Sequence, residues 1–230
     1  MKEVNNLFGY FDARSFVGHF FIFKGELIMK RKSIQKMTII AILSAMAAIL
    51  MLIEIPLGFA PDFYKLDFSE VPVLIGAFAL GPIAGVIIEA VKILLNFMIN
   101  GTITFGVGEV ANFLIGLSIV VPASWIYTRH KTRKFAIIGL GIGIVSMTVL
   151  GAFLNAFVLL PVYASVFGTS VDGLVAVGTL VNPNITNLTG FILLAVVPFN
   201  LVKGILVSVV VILVYKRVSF LIKGKDHDEV

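Results

Sequence analysis

The chain has 230 residues, of which 59% are hydrophobic and only 13% are charged. A soluble domain of this length needs more polar surface, so the composition excludes a soluble protein and predicts an all-α, multi-pass membrane protein. The lack of cysteine excludes a disulfide framework and a thiolate metal site. The formal net charge of +5 would suit nucleic acid, but the placement of the basic residues favours membrane topology instead.

The N-terminal stretch differs from the rest of the chain. Residues 1–28 are mixed and aromatic, without the long apolar region of a signal peptide. The stretch that starts at Met29, MKRKSIQKM, is typical of a cytoplasmic lead-in to a membrane helix. We therefore expect residues 1–28 to be an extra segment, disordered or upstream of the true start, residues 29–220 to form the membrane domain, and residues 221–230 to be a cytoplasmic tail.

Apolar segments predict six transmembrane helices, at residues 34–54, 71–80, 82–99, 108–127, 135–160 and 186–215. The second and third are divided at Gly81-Pro82. Proline cannot continue the interior of a helix but suits the first turn of the next one, so we expect two helices here rather than one long helix.

Lysine and arginine are concentrated in three clusters, at residues 24–36, 129–134 and 216–225. The other predicted loops, at residues 55–70, 100–107 and 161–185, contain a single basic residue, Lys65. Because positively charged loops stay in the cytoplasm, all three clusters are expected inside a cell membrane. This requires an even number of spans between the first two clusters, and the sequence therefore predicts six helices with both termini cytoplasmic.

Asn200 and Lys203 lie one turn apart in the middle of the sixth predicted helix, and Thr189 shares their face at helical spacing. Lys203 is about thirteen residues, or ~20 Å, from the basic end of this helix, too far for its ammonium to reach the interface. An ionisable group at this depth costs roughly 2.5–3.5 kcal/mol and normally faces a cavity or a partner.

Other predicted helices also carry polar groups. Glu109 and Asn112 lie near the outer end of the fourth helix, and Asn155 lies toward the outer end of the fifth. Such groups either join helices by hydrogen bonds or converge on a pocket for a small molecule. Glu89 and Lys92, on the third helix, are spaced to form an ion pair with each other.

The outer loop before the second predicted helix contains the sequence DFYKLDFSE, with Phe63, Tyr64 and Asp67. Its aromatic rings either form a belt at the membrane interface or a lid that stacks on a planar ligand. Ser69 and Glu70 are typical of a helix start.

The first predicted helix carries small residues at i, i+4 and i+7, namely Ala41, Ala45 and Ala48. Small residues at this spacing let another helix approach closely. They serve either internal packing or a docking face for a separate subunit.

Enzyme motifs are missing from the sequence. There is no G-x-x-x-x-G-K-[ST] loop and no H-E-x-x-H, and the three histidines lie outside the predicted spans. We therefore predict no catalytic residue, no metal site and no ATP hydrolysis by this chain, and we expect that it is not an enzyme.

Over about residues 33–220, the chain resembles the substrate-binding (S) components of energy-coupling factor (ECF) vitamin transporters, most of all those for riboflavin. The resemblance is carried by the small-residue face of the first helix and by LDFSEVPVLIGAFALGPIAG, GEVANFLIGL and VPFNLVKG. It implies high-affinity binding of a vitamin from outside and docking through the first helix on a transmembrane T component, which carries two cytosolic ATPases. It implies no cofactor beyond the transported ligand.

On this resemblance, riboflavin is the expected ligand. We expect Asn200, Lys203 and Thr189 to bind it, with contacts from Asn112, Asn155 and Glu109 and with Phe63, Tyr64 and Asp67 of the outer loop as cover. Thiamine, folate and biotin remain alternative substrates. A proton-coupled secondary transporter that titrates Glu89 or Glu109 and a scaffold without ligand are the alternatives from other classes.

Overall fold

The computed structural model of the chain describes residues 33–223 except residue 62, with side chains as far as residue 214. The prediction for residues 1–28 lies outside these residues, and so does most of the predicted tail at 221–230. The chain divides into two compact units, residues 1–39 and 40–230. The described part of the first unit is the start of helix α1, where Thr38 Oγ1 donates to the carbonyl oxygen of Ile34 at 3.0 Å.

The described residues are mostly helical. The helices are α1 Ser33–Met51, α2 Glu70–Leu80, α3 Pro82–Asn100, α4 Val107–Arg129, α5 Arg133–Leu154, α6 Leu160–Val166, α7 Val171–Val181, α8 Leu188–Phe191 and α9 Val197–Lys223. Two short strands, β1 Ile55–Pro56 and β2 Lys65–Leu66, pair antiparallel, with Ile55 opposite Leu66. The two strands form a β-hairpin within residues 52–69, a segment called the hairpin loop.

Two helix pairs are joined by π-helical turns. Residues Asn155–Leu159 connect α5 to α6, and residues Ile192–Val196 connect α8 to α9. The joined segments are continuous helices that run over Arg133–Val166 and over Leu188–Val214.

Five of the described helices are long and apolar enough to cross a membrane: Ser33–Met51, Pro82–Asn100, Val107–Arg129, Arg133–Val166 and Leu188–Val214. They correspond to five of the six predicted spans. The remaining predicted span, at 71–80, is α2, which has 11 residues. At ~1.5 Å per residue it is about 16 Å long, roughly half the thickness of the hydrocarbon core, so α2 by itself is too short to span.

The predicted break between α2 and α3 is confirmed. Gly81 has φ +105°, in a region that only glycine adopts readily, and its N–H donates to the carbonyl oxygen of Ala77 at 2.9 Å. Pro82 is the first residue of α3, where its missing N–H is not needed.

Helix α2 is surrounded by protein. Every residue from Glu70 to Phe78 is buried, and the helix packs against α3, α4 and α9. At Gly85 of α3, an added Cβ would lie 2.6 Å from Ala77 Cβ and 2.8 Å from Val120 Cγ1. The absence of a side chain at this glycine therefore lets α3 approach both α2 and α4 closely.

The region at 161–185 was expected to be a loop, but it contains α7 and the end of the fifth long helix. Ser170 caps α7 by accepting from Gly173 N at 3.0 Å. Leu174 and Val175 are buried in a cluster that includes Phe191. This apolar contact, made with residues distant in sequence, stabilises a helix of only 11 residues that would be marginal alone.

Candidate functional site

A cavity of about 250 Å³ lies between the hairpin loop, α4, the end of the Arg133–Val166 helix and α9. Seven of the nine residues predicted for the site line it, namely Phe63, Tyr64, Asp67, Asn112, Asn155, Asn200 and Lys203. The fold therefore brings together polar side chains from the hairpin loop and from three predicted spans.

Lys203 and Asp67 form an ion pair at the cavity wall. Lys203 Nζ donates to Asp67 Oδ2 at 2.8 Å, and the two side chains are 12% and 10% exposed. Asp67 Oδ1 also accepts from the backbone N–H of Ser69 at 2.8 Å. The negative charge of Asp67 is therefore balanced by the lysine of α9.

Asn155 connects the hairpin loop to the end of α5. Tyr64 Oη donates to Asn155 Oδ1 at 2.6 Å, and Asn155 Nδ2 donates to the carbonyl oxygen of Gly151 at 2.8 Å. These two hydrogen bonds join the hairpin loop to the backbone of α5.

Asn200 lies where α5 and α9 come close together. Its Nδ2 donates to the carbonyl oxygen of Val196 at 2.9 Å. A Cβ added at Gly151 would lie 3.0 Å from Asn200 Nδ2 and 3.1 Å from its Oδ1. The side chain of Asn200 therefore occupies space that only a glycine on α5 leaves open.

The two π-helical turns lie beside these asparagines, and each ends two residues before a proline, Pro161 or Pro198. Proline has no N–H, so the carbonyl four residues earlier loses its α-helical partner, and a wider turn relieves the mismatch. Neither π-helical turn was predicted from the sequence.

Two predicted site residues lie outside the cavity. Glu109 accepts from Thr102 Oγ1 at 3.0 Å and from Thr104 Oγ1 at 3.4 Å at the start of α4, and it borders a separate apolar groove. Thr189 is exposed on α8. It precedes the π-helical turn at Ile192–Val196, and such a turn shifts the helical phase by roughly one residue, or ~100°. The α-helical spacing that put Thr189 on the face of Lys203 does not hold across this turn.

Several lining residues were not predicted. Tyr163 and Phe199 add aromatic walls, and an exposed ion pair, Lys65 Nζ to Glu54 Oε2 at 2.6 Å, also borders the cavity. Tyr163 lies beyond the predicted end of the fifth span, which ran to residue 160. Phe199 stands inside the motif VPFNLVKG, beside Asn200, so its position in the sequence was a usable signal.

The hairpin loop is held over the cavity by aromatic contacts. The Tyr64 ring lies 4.8 Å from the Phe63 ring and 5.3 Å from the Phe199 ring, measured between centroids. Tyr64 and Leu66 belong to a buried cluster with residues of α6, α7 and the Leu188–Val214 helix. The loop is therefore packed as a lid rather than spread along the membrane interface.

On α1, Ala41 and Ala45 are exposed, whereas Ala48 is only 3% exposed. Ile42, Met46 and Ile49 are also exposed. Two of the three predicted small residues are thus accessible on an apolar face, and Ala48 packs inside.

Comparisons with known proteins agree with the architecture and show the family. Residues 35–215 match the family model described as ECF transporter, substrate-specific component. The chain is 38% identical over 189 residues to the riboflavin transporter RibU of Staphylococcus aureus (strain TCH60), covering 82% of this chain and 93% of that one. It is 32% identical over 187 residues to the riboflavin transporter FmnP of Bacillus subtilis (strain 168), covering 81% and 93%.

Among solved structures, the fold is similar to one described as "Structure and mechanism of the S component of a bacterial ECF transporter". The TM-score is 0.63, and the sequences are 36% identical. The match covers 82% of this chain and 98% of that one.

Proposed function

Because the chain belongs to the substrate-specific components of ECF transporters, we propose that it binds riboflavin in the cavity under the hairpin loop, entering from the extracellular side. It is a multi-pass protein of the cell membrane, and its relatives are transporters rather than enzymes. We infer that this chain has the same specificity for riboflavin that is named for these relatives. Membership of this family sets aside the alternatives of a proton-coupled secondary transporter and of a scaffold.

The observation that carries the substrate proposal is the charge balance of the cavity. The lysine at its wall is already paired with Asp67 at 2.8 Å, so the pair is neutral overall. An ammonium has three N–H donors, and Asp67 uses one of them, so Lys203 can donate to an uncharged ligand without leaving its partner. A carboxylate ligand such as folate or biotin would compete with Asp67 for the lysine, and cationic thiamine would meet its positive charge. The site therefore favours an uncharged vitamin.

The polar groups of riboflavin suit the remaining side chains. The isoalloxazine ring has two carbonyls and an imide N–H along one edge, and the ribityl chain has hydroxyls. Asn155 and Asn200 can each donate and accept, as these groups require. The rings of Phe63 and Tyr64 supply flat apolar area for a planar ligand.

Binding requires the hairpin loop to move. The cavity of about 250 Å³ is smaller than the roughly 300–1,000 Å³ of typical ligand sites. Tyr64 Oη donates to Asn155 Oδ1, which is an acceptor that a donor group of the ligand would also use. We propose that the loop opens to admit the vitamin and closes over it, with the Tyr64–Asn155 hydrogen bond exchanged for contacts to the ligand.

The test uses the purified full-length protein. We expect a yellow preparation with flavin absorption bands, or, after removal of bound flavin, calorimetric binding of riboflavin but not of thiamine, folate or biotin. Asn200→Ala should weaken binding, and Asn100→Ala, at an exposed position at the end of α3, should not. Binding of one of the other vitamins, with none of riboflavin, would overturn the substrate but leave the family intact.

We also propose six membrane crossings with both termini in the cytoplasm. The five long helices supply five of these crossings, and the hairpin loop with α2 supplies the sixth. Non-helical backbone is tolerated at membrane depth where it is buried in protein or lines a cavity, and both conditions apply to this segment. In intact cells, an impermeant thiol reagent should label Asp172→Cys but not Thr132→Cys. Labelling of Thr132→Cys would overturn the topology.

The proposed partners are a transmembrane T component and two cytosolic ATPases. ECF substrate-specific components work with such modules, and this chain has no ATP-binding loop of its own. We assign the docking face to Ala41 and Ala45, because these small exposed residues let another helix approach α1 closely.

A further inference from the structure

Three ionisable side chains meet in the protein interior apart from the ligand-lining residues. Lys92 Nζ of α3 lies 2.8 Å from Oε1 of Glu70, the first residue of α2, and 2.7 Å from Oε1 of Glu89 on its own helix. The side chains of Lys92 and Glu89 are 0% exposed, and that of Glu70 is 3% exposed. The sequence predicted the pair within α3, and the structure adds the second carboxylate.

The charges in this triad do not balance if all three groups are ionised. Two carboxylates would share one ammonium. The nearest other charges are Asp67 of the hairpin loop and Lys203 of α9, and these already neutralise each other. An uncompensated buried charge is strongly unfavourable, and a buried carboxyl group normally takes up a proton instead.

Several oxygens of the triad are buried without a hydrogen-bond partner. Among the described residues, these are Glu70 Oε2 and both oxygens of Glu89, of which Oε1 has Lys92 Nζ at 2.7 Å but without hydrogen-bond geometry. A buried carboxylate oxygen of this kind has lost its hydrogen bonds to water and has gained none from the protein. A protonated carboxyl group can instead donate a hydrogen bond to a neighbouring carboxylate.

Helix α4 brings the two carboxylates to one place. A Cβ added at Gly116 would overlap Oε1 of Glu89 and would lie 3.1 Å from Oε1 of Glu70. Both carboxylates therefore approach the same point of the α4 backbone, and Lys92 Nζ contacts the same two oxygens. The two carboxyl groups therefore lie on the same ammonium group and beside the same α4 residue.

We propose that Glu70, Glu89 and Lys92 form a buried proton-binding site, in which one proton shared by the two carboxyl groups makes the triad neutral. The neutral triad holds the first turn of α2 against α3 and α4. Because this turn directly follows Asp67 and Ser69, the site also fixes the end of the lid. The described residues contain no group of three or more His, Cys, Asp or Glu side chains that could hold a metal ion. The proposal does not depend on the identity of the transported vitamin.

Infrared spectroscopy of the full-length protein in lipid nanodiscs tests the site. At neutral pH, the parent should show the carbonyl band of a protonated carboxylic acid in a membrane interior. Glu70→Gln and Glu89→Gln should each lose this band, because the carboxylate left behind pairs one-to-one with Lys92 and ionises. Glu109→Gln, which removes a carboxyl group outside the triad, should keep it.

Thermal unfolding adds a second readout. Raising the pH above neutral removes the shared proton from the parent, so its Tm should fall, and the Tm of each single variant should fall less. The double variant leaves Lys92 without an acid and should have the lowest Tm at neutral pH. The proposal is wrong if the parent lacks the band, or if both single variants retain it. A Tm that rises with Na⁺ at constant ionic strength would point to a bound cation and also overturn it.

Discussion

Replacing Lys203 by methionine separates ligand binding from structural pairing. Methionine keeps an apolar side chain of similar length but leaves the carboxylate of Asp67 buried, with only the backbone N–H of Ser69 as a described partner. Removing one partner of a buried ion pair costs about 3–5 kcal/mol. Both side chains are still about one-tenth exposed to solvent. We therefore expect the free energy of unfolding to fall by about 3 kcal/mol, near the lower end of this range.

The same substitution removes a charged donor from the cavity. Hydrogen bonds to charged groups contribute about 1.5–3 kcal/mol, which corresponds to a loss of riboflavin affinity of roughly tenfold to a hundredfold. A fall in affinity alone does not show that Lys203 contacts the ligand, because a destabilised lid would also weaken binding.

Combining Asp67→Asn with Lys203→Met separates the loss of stability from the loss of a ligand contact. The double variant has neither charge, so its unfolding free energy should return to within about 1 kcal/mol of the parent. Its riboflavin affinity, measured by calorimetry, should remain low because the donor is still missing. If the double variant bound riboflavin as tightly as the parent, Lys203 would be only the partner of Asp67, and the ligand would lie elsewhere.

The pH dependence of stability tests the same ion pair. In the parent, the carboxylate of Asp67 has a cation at 2.8 Å. In Lys203→Met this carboxylate is left buried without its cation, and burial without a partner favours the protonated form. Acidification from about pH 8 to about pH 5 should therefore raise the Tm of the variant relative to that of the parent. Parallel profiles would contradict the assignment.

Three further predictions concern other parts of the molecule. Gly151→Ala should lower riboflavin affinity several-fold, because its Cβ would lie 3.0 Å from Asn200 Nδ2, whereas Gly141→Ala, into open space on the same helix, should not. Tyr64→Phe loses a 2.6 Å hydrogen bond and should change the riboflavin dissociation rate more than the Tm, as stopped-flow fluorescence can show. Ala45→Trp should abolish uptake by the assembled transporter while calorimetric binding persists; equal loss of both would mean that Ala45 serves internal packing.

The long helices were predictable because their apolar length is a property of the sequence alone. The break at Gly81-Pro82 was predictable for a similar reason, since it depends on the chemistry of two adjacent residues. Helix α7 was not, because its stability comes from burial against Phe191, which lies ten residues beyond the helix in the chain. The sequence also does not show that α2 is enclosed by protein and can therefore be short.

For the site, residue type and depth identified seven lining residues, including Asn155, Asn200 and Lys203. Helical spacing did not place Thr189 at the cavity, because a π-helical turn intervenes. Glu109 lies away from the cavity because the threonines of the preceding loop hold its carboxylate. Ligand contact by these two residues stays a prediction.

The two lysines at membrane depth obtain their partners from one short stretch, LDFSE. Asp67 reaches Lys203 on α9, and Glu70, three residues later, reaches Lys92 on α3. From the sequence, both acids were expected in or at the end of the outer loop before α2, and both are buried, each with a cation that balances its charge. The stretch therefore joins the cavity wall to the interior triad, and the lid cannot lift from its α2 end without breaking an ion pair. Opening for the vitamin is then expected at the Tyr64 side of the hairpin loop, which is held by aromatic contacts and a single side-chain hydrogen bond.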